Sequence, residues 1–440
     1  MTRYPRYKDS GVTWLGDIPE GWDLKYGKCI FTENKLKNKA LDQKTILSLS
    51  YGKIVVKESP NEGLVPAEYS SYQVLAVGDI VIRCTDLQND QNSLRVGFVE
   101  NPGIITSAYL GLKINHGFFP RFVFYYLHTW DISKEIYRYG SGLRQSLSWE
   151  DLKYLPCLLP PLPEQEAIVK YLDETTGKID KAIAAEERLI ELLQERRQII
   201  INEAVGGGNL SRAETQRRRE WEVTRFKSLF STCTGISFTK AEIVEEGCPV
   251  LSYGQIHSKD NFGVGVNSKL IRHIPVALTS EKALAHKGDF LFADTSEDLE
   301  GCGNCICIDT EEPIYAGSHV ILARKQHGEM GRFLAYEFAS SNWRTQLRKL
   351  VNGVKVYSIT QTILNSVPVW LPPLPEQEAI VERLDRETGR IDRAIEVKRR
   401  QIALLRERRE IIIDEVVTGK VRVVQHPAKR EVPDGQVAGV

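Results

Sequence analysis

Long apolar stretches are missing from this chain of 440 residues. No run of residues approaches the roughly 18 apolar positions that a membrane-spanning helix needs. The opening sequence MTRYPRYKDSGVTWLG also lacks the apolar centre of a signal peptide. We therefore expect a cytoplasmic protein, and the length predicts roughly two to four globular domains.

An excess of charge of one sign is absent as well. The 58 basic residues equal the 58 acidic residues in number, so the formal net charge is zero. Proteins dedicated to nucleic-acid binding are often basic overall. Composition alone therefore does not indicate this class, although a local basic face would be enough. The eight cysteines are scattered through a large chain, which favours reduced thiols over a disulfide framework.

The motifs of several enzyme classes are also missing. Methylation of an exocyclic amine needs an Asn/Asp-Pro-Pro-aromatic motif, but the Pro-Pro pairs of this chain occur only within LPPLP. The phosphate-binding pattern G-x-x-x-x-G-K-[ST] is absent. Asp385 with Glu396 and Lys398 resembles a nuclease pattern, but these residues lie along a predicted coiled coil. We therefore expect no catalysis by this chain itself.

What the chain does have is a long internal repeat. The segment LPPLPEQEAIV occurs at residues 159–169 and again at 371–381, and 32 of 49 positions are identical between 159–207 and 371–419. This spacing far exceeds the periods of roughly 20–50 residues that are typical of solenoids. The repeat therefore indicates duplication of a large unit, in which a variable part precedes a near-identical one.

Each near-identical segment predicts one long helix. Prolines keep its first residues extended, Pro163 suits the first helical position, and Glu164 and Glu166 suit the first turn, where carboxylates favour the helix dipole. A period of about 3.5 residues then predicts helices of about 40 residues, or roughly 60 Å, that pair in a coiled coil. The predicted seam contains Leu172, Ile179, Ile183, Glu186, Ile190, Leu193, Ile200, Leu384, Ile391, Ile395, Lys398, Ile402, Leu405 and Ile412.

We expect the two helices to pair with each other in antiparallel order. A parallel pair would place Arg197 on Arg409, which is a repulsive layer of like charges. The antiparallel pair instead brings together Glu186 with Lys398, Arg197 with Asp392, and Arg409 with Asp180. The alternative is two ordinary helices in separate bundles.

The variable parts, residues 1–157 and 209–369, share only fragments such as Gly-Asp pairs. Short runs rich in Val, Ile and aromatic residues, broken by Gly and Asn, indicate an α+β fold. We therefore predict two similar globular domains separated by two long helices that form an antiparallel coiled coil, in a duplicated, pseudo-two-fold architecture. The predicted order is a first domain at 1–157, a first helix at 158–208, a second domain at 209–369, a second helix at 370–420 and a disordered tail at 421–440.

Two similar domains on a rigid spacer are suited to two half-sites of duplex DNA at a fixed separation. The sequence indeed resembles the specificity subunit of type I restriction–modification enzymes, over residues 4 to 420. The resemblance rests on the duplicated LPPLPEQEAIV and the heptad helix after it. It rests also on the opening motif Tyr7-Lys8-Asp9-Ser10-Gly11, followed by Trp14-Leu15-Gly16, Ile18-Pro19 and Trp22.

The resemblance implies that each globular domain is a target-recognition domain for one half of an asymmetric, bipartite DNA sequence. The helices would set the gap between the halves and dock two methyltransferase subunits. Restriction subunits with translocase activity would complete the nuclease. S-adenosylmethionine, ATP and Mg would belong to those partners, with no cofactor bound by this chain.

Polar loops supply the candidates for contacts with DNA. Phosphate contacts need Lys or Arg, and base edges are recognised by Arg, Lys, Asn or Gln. For each candidate, the alternative is a merely solvated loop residue. The candidates are Arg83, Gln88, Asn89, Gln91, Asn92, Arg144 and Gln145 in the first domain, and Lys240, Gln255, Lys355 and Tyr357 in the second.

The best candidate for a metal site is Cys302-x-x-Cys305-x-Cys307. Because zinc takes four ligands, His319 or Cys248 would have to complete it. The alternation Cys-Ile-Cys-Ile at 305–308 also fits an ordinary strand with reduced thiols. We favour the strand and expect no metal site.

Two other functions remain open. One is an adaptor whose duplicated domains bind proteins at a distance set by the helices. The other is a self-contained nuclease–methyltransferase, which the missing motifs disfavour. Salt-dependent binding of duplex DNA by the assembled complex would separate the DNA-binding function from the adaptor.

Overall fold

The chain folds into two compact units. A computed structural model describes residues 2–57, 69–142, 145–206, 221–326, 331–351, 353 and 356–423. Unit 1 contains Met1–Glu186 and Arg400–Val440, and unit 2 contains Glu187–Arg399. Each unit therefore combines a globular domain with part of each long helix.

The globular part of unit 1 mixes strands and helices. Its strands are β1 (Tyr7–Asp9), β2 (Asp17–Pro19), β3 (Asp23–Tyr26), β4 (Phe31–Glu33), β5 (Leu47–Ser50), β6 (Lys53–Val56), β7 (Gln73–Leu75), β8 (Ile80–Arg83), β9 (Val96–Phe98), β10 (Gly103–Ile105), β11 (Tyr109–Ile114) and β12 (Pro156–Leu159). Its helices are α1 (Gly27–Ile30), α2 (Pro120–Ile132) and α3 (Trp149–Leu152), with a 3₁₀ turn at Glu135–Arg138. The first long helix, α4 (Leu162–Ile201), follows β12.

The globular part of unit 2 is built in the same way. Its strands are β13 (Glu222–Arg225), β14 (Phe230–Thr234), β15 (Cys248–Leu251), β16 (Arg272–Ile274), β17 (Leu284–Ala285), β18 (Phe290–Ala293), β19 (Thr295–Ser296), β20 (Cys305–Cys307), β21 (Ile314–Ala316), β22 (Val320–Lys325), β23 (Tyr357–Ser358) and β24 (Pro368–Leu371). Its helices are α5 (Phe226–Leu229), α6 (Tyr253–Ile256), α7 (Gly331–Ala339), α8 (Ser341–Arg348) and α9 (Gln361–Ser366). The second long helix is α10 (Leu374–Val417).

An antiparallel four-stranded sheet with the same strand order lies in both domains. The order is β4-β11-β8-β9 in unit 1 and β14-β22-β18-β20 in unit 2. The register also agrees, because Ile80 pairs with Leu112 in the first sheet and Phe290 pairs with Ala323 at the corresponding position of the second. The prediction of one α+β fold with divergent content in both domains is confirmed.

A Gly-Asp turn precedes the equivalent strands β8 and β18. Gly78 and Gly288 have positive φ values of 94° and 92°, a conformation that favours glycine. The carboxylate after each glycine accepts a backbone N–H from three residues upstream, at 2.8 Å for Asp79 and 2.9 Å for Asp289. The Gly-Asp fragments shared by the two domains are thus turns that precede equivalent strands.

Both faces of the central sheet in unit 2 are buried. Cys305 and Cys307 pack in the same core as Phe290, whereas Ile306 packs with Leu291 on the opposite face. This alternation is the period of two that a strand imposes. The interpretation of the cysteine cluster as a strand is confirmed by β20, and all eight cysteines are free thiols.

The duplicated Pro-Glu-Gln sequence makes the same two side-chain hydrogen bonds at the start of each long helix. The Nε2 atoms of Gln165 and Gln377 donate to the carbonyl oxygens five residues upstream, each at 2.8 Å. The neighbouring carboxylates accept the indole N–H of a tryptophan from the globular domain: Glu164 from Trp22 at 3.0 Å, and Glu376 from Trp221 at 3.3 Å.

A second contact joins each domain to its long helix. In unit 1 the Asp173 carboxylate accepts hydrogen bonds from Tyr125 at 2.6 Å and Arg121 at 3.3 Å. In unit 2 Asp385 accepts them from Tyr336 at 2.6 Å and Arg332 at 2.9 Å. Burial, with the adjoining carboxylate, raises the pKa of each tyrosine to about 12. We call these residues the helix clamp of each unit.

Within each unit the two long-helix segments run antiparallel. In unit 1 Leu172 shares a core with Val416, and further along α4 the Asp180 carboxylate is 3.2 Å from Arg409 Nε. Residue numbers therefore rise along α4 as they fall along α10. Unit 2 repeats this order with Arg197 Nε 3.0 Å from Asp392 and with Val205 in one core with Leu384.

The helix predictions are therefore largely confirmed. The lengths of 40 and 44 residues agree with the expected value of about 40. The Arg197–Asp392 and Asp180–Arg409 pairs are present as expected. The pairing of Glu186 with Lys398 stays a prediction. Among the described residues, no helix has both the length and the apolar content of a membrane-spanning segment.

Reversing the charges of the pair in unit 2 tests the antiparallel register. Arg197 has 10% of its side chain exposed, so Arg197→Asp should destabilise the protein by about 2 kcal/mol through repulsion and loss of the pair. Adding Asp392→Arg should recover most of the loss, which thermal unfolding of the full chain would measure. A double variant as unstable as the sum of its single variants would contradict the register.

Candidate nucleic-acid interface

A polar loop connects β8 to β9 in unit 1. We call Thr85–Leu94 the amide loop, because it carries four exposed amide side chains. They are Gln88, Asn89, Gln91 and Asn92. Leu87 is fully buried and anchors the loop in the core. Amide side chains both donate and accept hydrogen bonds, which lets them pair with two atoms of an adenine edge.

The amide loop is closed by an ion pair. Arg83 Nη1 lies 3.0 Å from the Asp90 carboxylate, which also accepts the backbone N–H groups of Asn92 at 3.2 Å and Ser93 at 3.0 Å. Hydrogen bonds from Ser93, with smaller contributions from Asn92 and Arg83, lower the pKa of Asp90 to about 2. Arg83, predicted to contact DNA, is thus engaged at the base of the loop.

Gln145 and Leu147, near the end of the first domain, lie beside the amide loop. Leu87 N donates to Gln145 O at 3.2 Å, and Leu147 N donates to Cys84 O at 2.9 Å. The side chain of Gln145 is also engaged, because its Nε2 donates to the carbonyl oxygens of Tyr137 and Tyr139 at 2.6 and 2.8 Å. Arg144, another predicted contact, lies outside the described residues.

The equivalent loop of unit 2 is chemically different. Thr295–Asn304 follows β18 and carries the exposed carboxylates Glu297, Asp298 and Glu300, so we call it the acidic loop. Its first two residues form β19, which pairs with β23 and so brings Tyr357 beside it. Lys355 lies outside the described residues.

A polar cavity of about 400 Å³ opens between the acidic loop and α6. Tyr253 and His257 line it together with loop residues. His257 is held by Thr295 O, 2.8 Å from its Nε2, and by Asn304 Nδ2, 3.2 Å from its Nδ1. Gln255 belongs to the same short helix, but its Oε1 accepts Ser252 N at 3.0 Å and caps that helix.

Lys240 lies on a separate exposed turn at Lys240–Glu242. The segment before this turn is joined to α6 through Ser318. Ser318 Oγ accepts Phe238 N at 2.9 Å, and its carbonyl accepts Tyr253 N at 3.1 Å. Lys240 is therefore an exposed cation on a segment that is anchored to the strand–helix framework of the cavity.

The sequence patterns first considered for metal or nuclease chemistry are engaged in the fold. Asp385 belongs to the helix clamp of unit 2, and Cys305–Cys307 is a buried strand. Among the described residues, no group of three His, Cys, Asp or Glu side chains is placed to hold a metal ion.

Two features of these loops were missed in the sequence. One is Arg95, which is fully buried although arginine is mostly exposed in proteins. The other is the acidic loop, because carboxylates were not considered as groups that recognise bases. The signal for the second was present, since the run of acidic residues follows the Gly-Asp strand β18 just as the amides follow β8.

Replacing Asp90 with Asn should loosen the amide loop without unfolding unit 1. The variant loses the charge that binds Arg83 and a strong acceptor for two backbone N–H groups. We expect faster deuterium uptake by residues 85–95, measured by mass spectrometry. Asp86→Asn is the control, because among the described residues the Asp86 carboxylate accepts a hydrogen bond only from Asn89. Equal uptake by both variants would contradict the role of Asp90.

The pH dependence of the same loop has a definite sign. The pKa of Asp90 is lowered to about 2, so its stabilising effect is complete above the usual carboxyl pKa and is lost as pH falls through about 2. Protection of the loop, corrected for intrinsic exchange, should therefore stay constant from about pH 6 to pH 8.

Comparisons with known proteins agree with this architecture. The family model described as "Type I restriction modification DNA specificity domain" matches residues 218–405. The chain is 24% identical to the putative type I restriction enzyme MjaX specificity subunit of Methanocaldococcus jannaschii, over 95% of this chain and 98% of that protein. It is 26% identical to the MjaVIII specificity subunit of the same organism, over 60% of this chain. The match spans 62% of that subunit, which is less than two thirds of the subunit's length.

A solved structure shows the same fold. It is described as "Structural basis underlying complex assembly and conformational transition of the type I R-M system" and matches with a TM-score of 0.60 at 18% identity. The match covers 92% of this chain and 99% of that chain. These matches show that the chain is similar in sequence to specificity subunits of type I restriction–modification enzymes and that it shares the fold of a solved chain.

Proposed function

We propose that this chain selects the DNA sequence on which a type I restriction–modification complex acts. Each globular domain, predicted at 1–157 and 209–369, recognises one half of an asymmetric bipartite target. The observation that carries this proposal is the difference between two equivalent loops. One fold, with one strand order, presents neutral amides in unit 1 and carboxylates in unit 2.

The chemistry of the two loops supports different base preferences. Amides donate and accept at once, as an adenine edge requires, whereas carboxylates only accept and therefore suit amino groups such as cytosine N4. The two half-sites should accordingly differ in sequence. Because phosphate contacts supply much of the affinity for DNA and the net charge is zero, the chain alone should bind duplex weakly.

The remaining parts of this proposal come from the similarity to type I specificity subunits. The long helices set the unread gap and dock two methyltransferase subunits, and restriction subunits join them. S-adenosylmethionine, ATP and Mg belong to those subunits, and this chain directs them without catalysis of its own. The predicted DNA contacts at Arg83, Gln145, Lys240, Gln255 and Tyr357 stay part of this proposal, as do Arg144 and Lys355.

A map of methylated adenines tests the function directly. Cells carrying the cognate methyltransferase should show a two-part methylated motif with an unread gap only when this chain is present. A soluble complex with the methyltransferase that produces no new motif would contradict the proposal and favour a protein-binding adaptor. Absence of any complex would count against the docking function.

Two sets of loop substitutions should affect different halves of that motif. The first set, Gln88→Ala, Asn89→Ala, Gln91→Ala and Asn92→Ala, should reduce base discrimination in one half by about tenfold, the size of one good base contact. The second set, Glu297→Gln with Glu300→Gln, should change the other half. All six side chains are exposed, so folding should be preserved. Loss of preference in both halves from either set would contradict the assignment.

A further inference from the structure

A buried arginine lies directly after the amide loop. Arg95 is 0% exposed, and a buried charge is stable only when its polar groups are paired. A guanidinium has five N–H donors. All five have acceptors: Nε donates to Tyr137 Oη at 3.2 Å, Nη1 to the carbonyls of Arg83 at 3.3 Å and Thr85 at 2.8 Å, and Nη2 to the carbonyls of Asp86 at 3.1 Å and Asp90.

These acceptors make the loop backbone curl around one side chain. The loop forms no strand or helix of its own, so its carbonyl groups need partners from elsewhere. Asp86 adopts a left-handed backbone with φ of 65°, and its carbonyl points to Arg95. The Tyr137 hydroxyl also donates to the Asp90 carbonyl at 3.2 Å, so it links the guanidinium to the far side of the loop.

The C-terminal end of the loop is fixed as well. The buried carboxylate of Asp131, in α2, accepts the backbone N–H of Arg95 and that of Val96 at 3.3 Å. The junction between loop and strand β9 is thereby held to a helix of the core. Arg95 thus connects a rigid framework to a loop whose amide side chains face solvent.

We propose that Arg95 is the positioning residue for recognition of the first half-site. This inference rests on the function proposed above. Arg95 is too deeply buried to touch DNA, and it acts by holding the backbone from which the exposed amides project. Paired hydrogen bonds to a base edge require the side chain to be placed within about 0.5 Å, so a loop without this support loses discrimination.

Unit 2 holds its loop in a different way. Asn304 precedes β20 as Arg95 precedes β9, since Cys305 and Val96 have equivalent pairing positions. The Asn304 side chain contacts His257, and Arg348 Nη2 donates to the carbonyl of Glu300. Substitution of Arg95 should therefore affect one half-site and leave the other unchanged.

The test uses the full chain assembled with its methyltransferase subunits. Arg95→Lys keeps the charge but offers three donors from a single nitrogen in place of a planar fork. Tyr137→Phe removes one acceptor and one donor around the guanidinium and is the milder variant. Arg138→Lys is the control, because Arg138 is 69% exposed and its ion pair is with Glu135.

Methylation rates would be measured on duplexes carrying each single-base change in either half-site. We expect Arg95→Lys to lower discrimination in the first half-site about tenfold or more, Tyr137→Phe to lower it less, and Arg138→Lys to leave it unchanged. Discrimination in the second half-site should match the wild type throughout. This pattern is specific to positioning, because general destabilisation would lower the rate on all duplexes alike.

Two outcomes would overturn the inference. One is undiminished discrimination in the first half-site for Arg95→Lys. The other is an Arg95→Lys variant that unfolds, by its melting temperature, together with a Tyr137→Phe variant that discriminates like the wild type. Failure of the proposed function is distinct, since the wild-type complex itself would then show no bipartite preference.

Discussion

The orientation of each globular domain on its long helix is set by a helix carboxylate that binds an arginine and a tyrosine of the domain. Asp173 does this in unit 1 and Asp385 in unit 2, with tyrosine–carboxylate distances of 2.6 Å in both. Tryptophan–glutamate bonds at the helix starts add a second fixed point. Because these contacts orient the domain on its helix, the helix sequence has to present the same side chains twice. This requirement accounts for the presence of Glu164 and Asp173 in the first helix and of Glu376 and Asp385 at the same positions of the second.

The contacts between each domain and its long helix do not involve the amide loop or the acidic loop, so these loops are free to differ. The sheet order and register are shared, and the Gly-Asp turn starts the equivalent strand in each domain. Beyond that strand, one domain has an amide loop organised by Arg95, and the other has an acidic loop organised by Arg348 and Asn304. Fold stability and loop chemistry are therefore carried by separate residues. Such a division lets the exposed loop side chains change without loss of the framework that presents them.

Sequence patterns predicted the arrangement of the domains and long helices but missed the local polar contacts. Heptads and charges were sufficient for the helices and for the Arg197–Asp392 pair, because a helix repeats one geometry over many residues. Arg95 could not be identified in this way, since four of the five acceptors around its guanidinium are carbonyl groups that any residue carries. Gln145 shows the same limit: its amide resembles a base-recognition group in sequence, but it donates to two carbonyls. Hydrogen bonds of this kind depend on the backbone path of a loop, and the spacing of apolar residues in the sequence does not determine that path.

Under the proposed function, each domain determines one half of the target while the helices determine the gap. The most direct measurement replaces residues 1–157 with the corresponding domain of a type I specificity subunit that has a different target, and maps methylated adenines in cells. One half of the motif should change, with the other half and the gap length preserved. A change in both halves, or in the gap, would contradict the account.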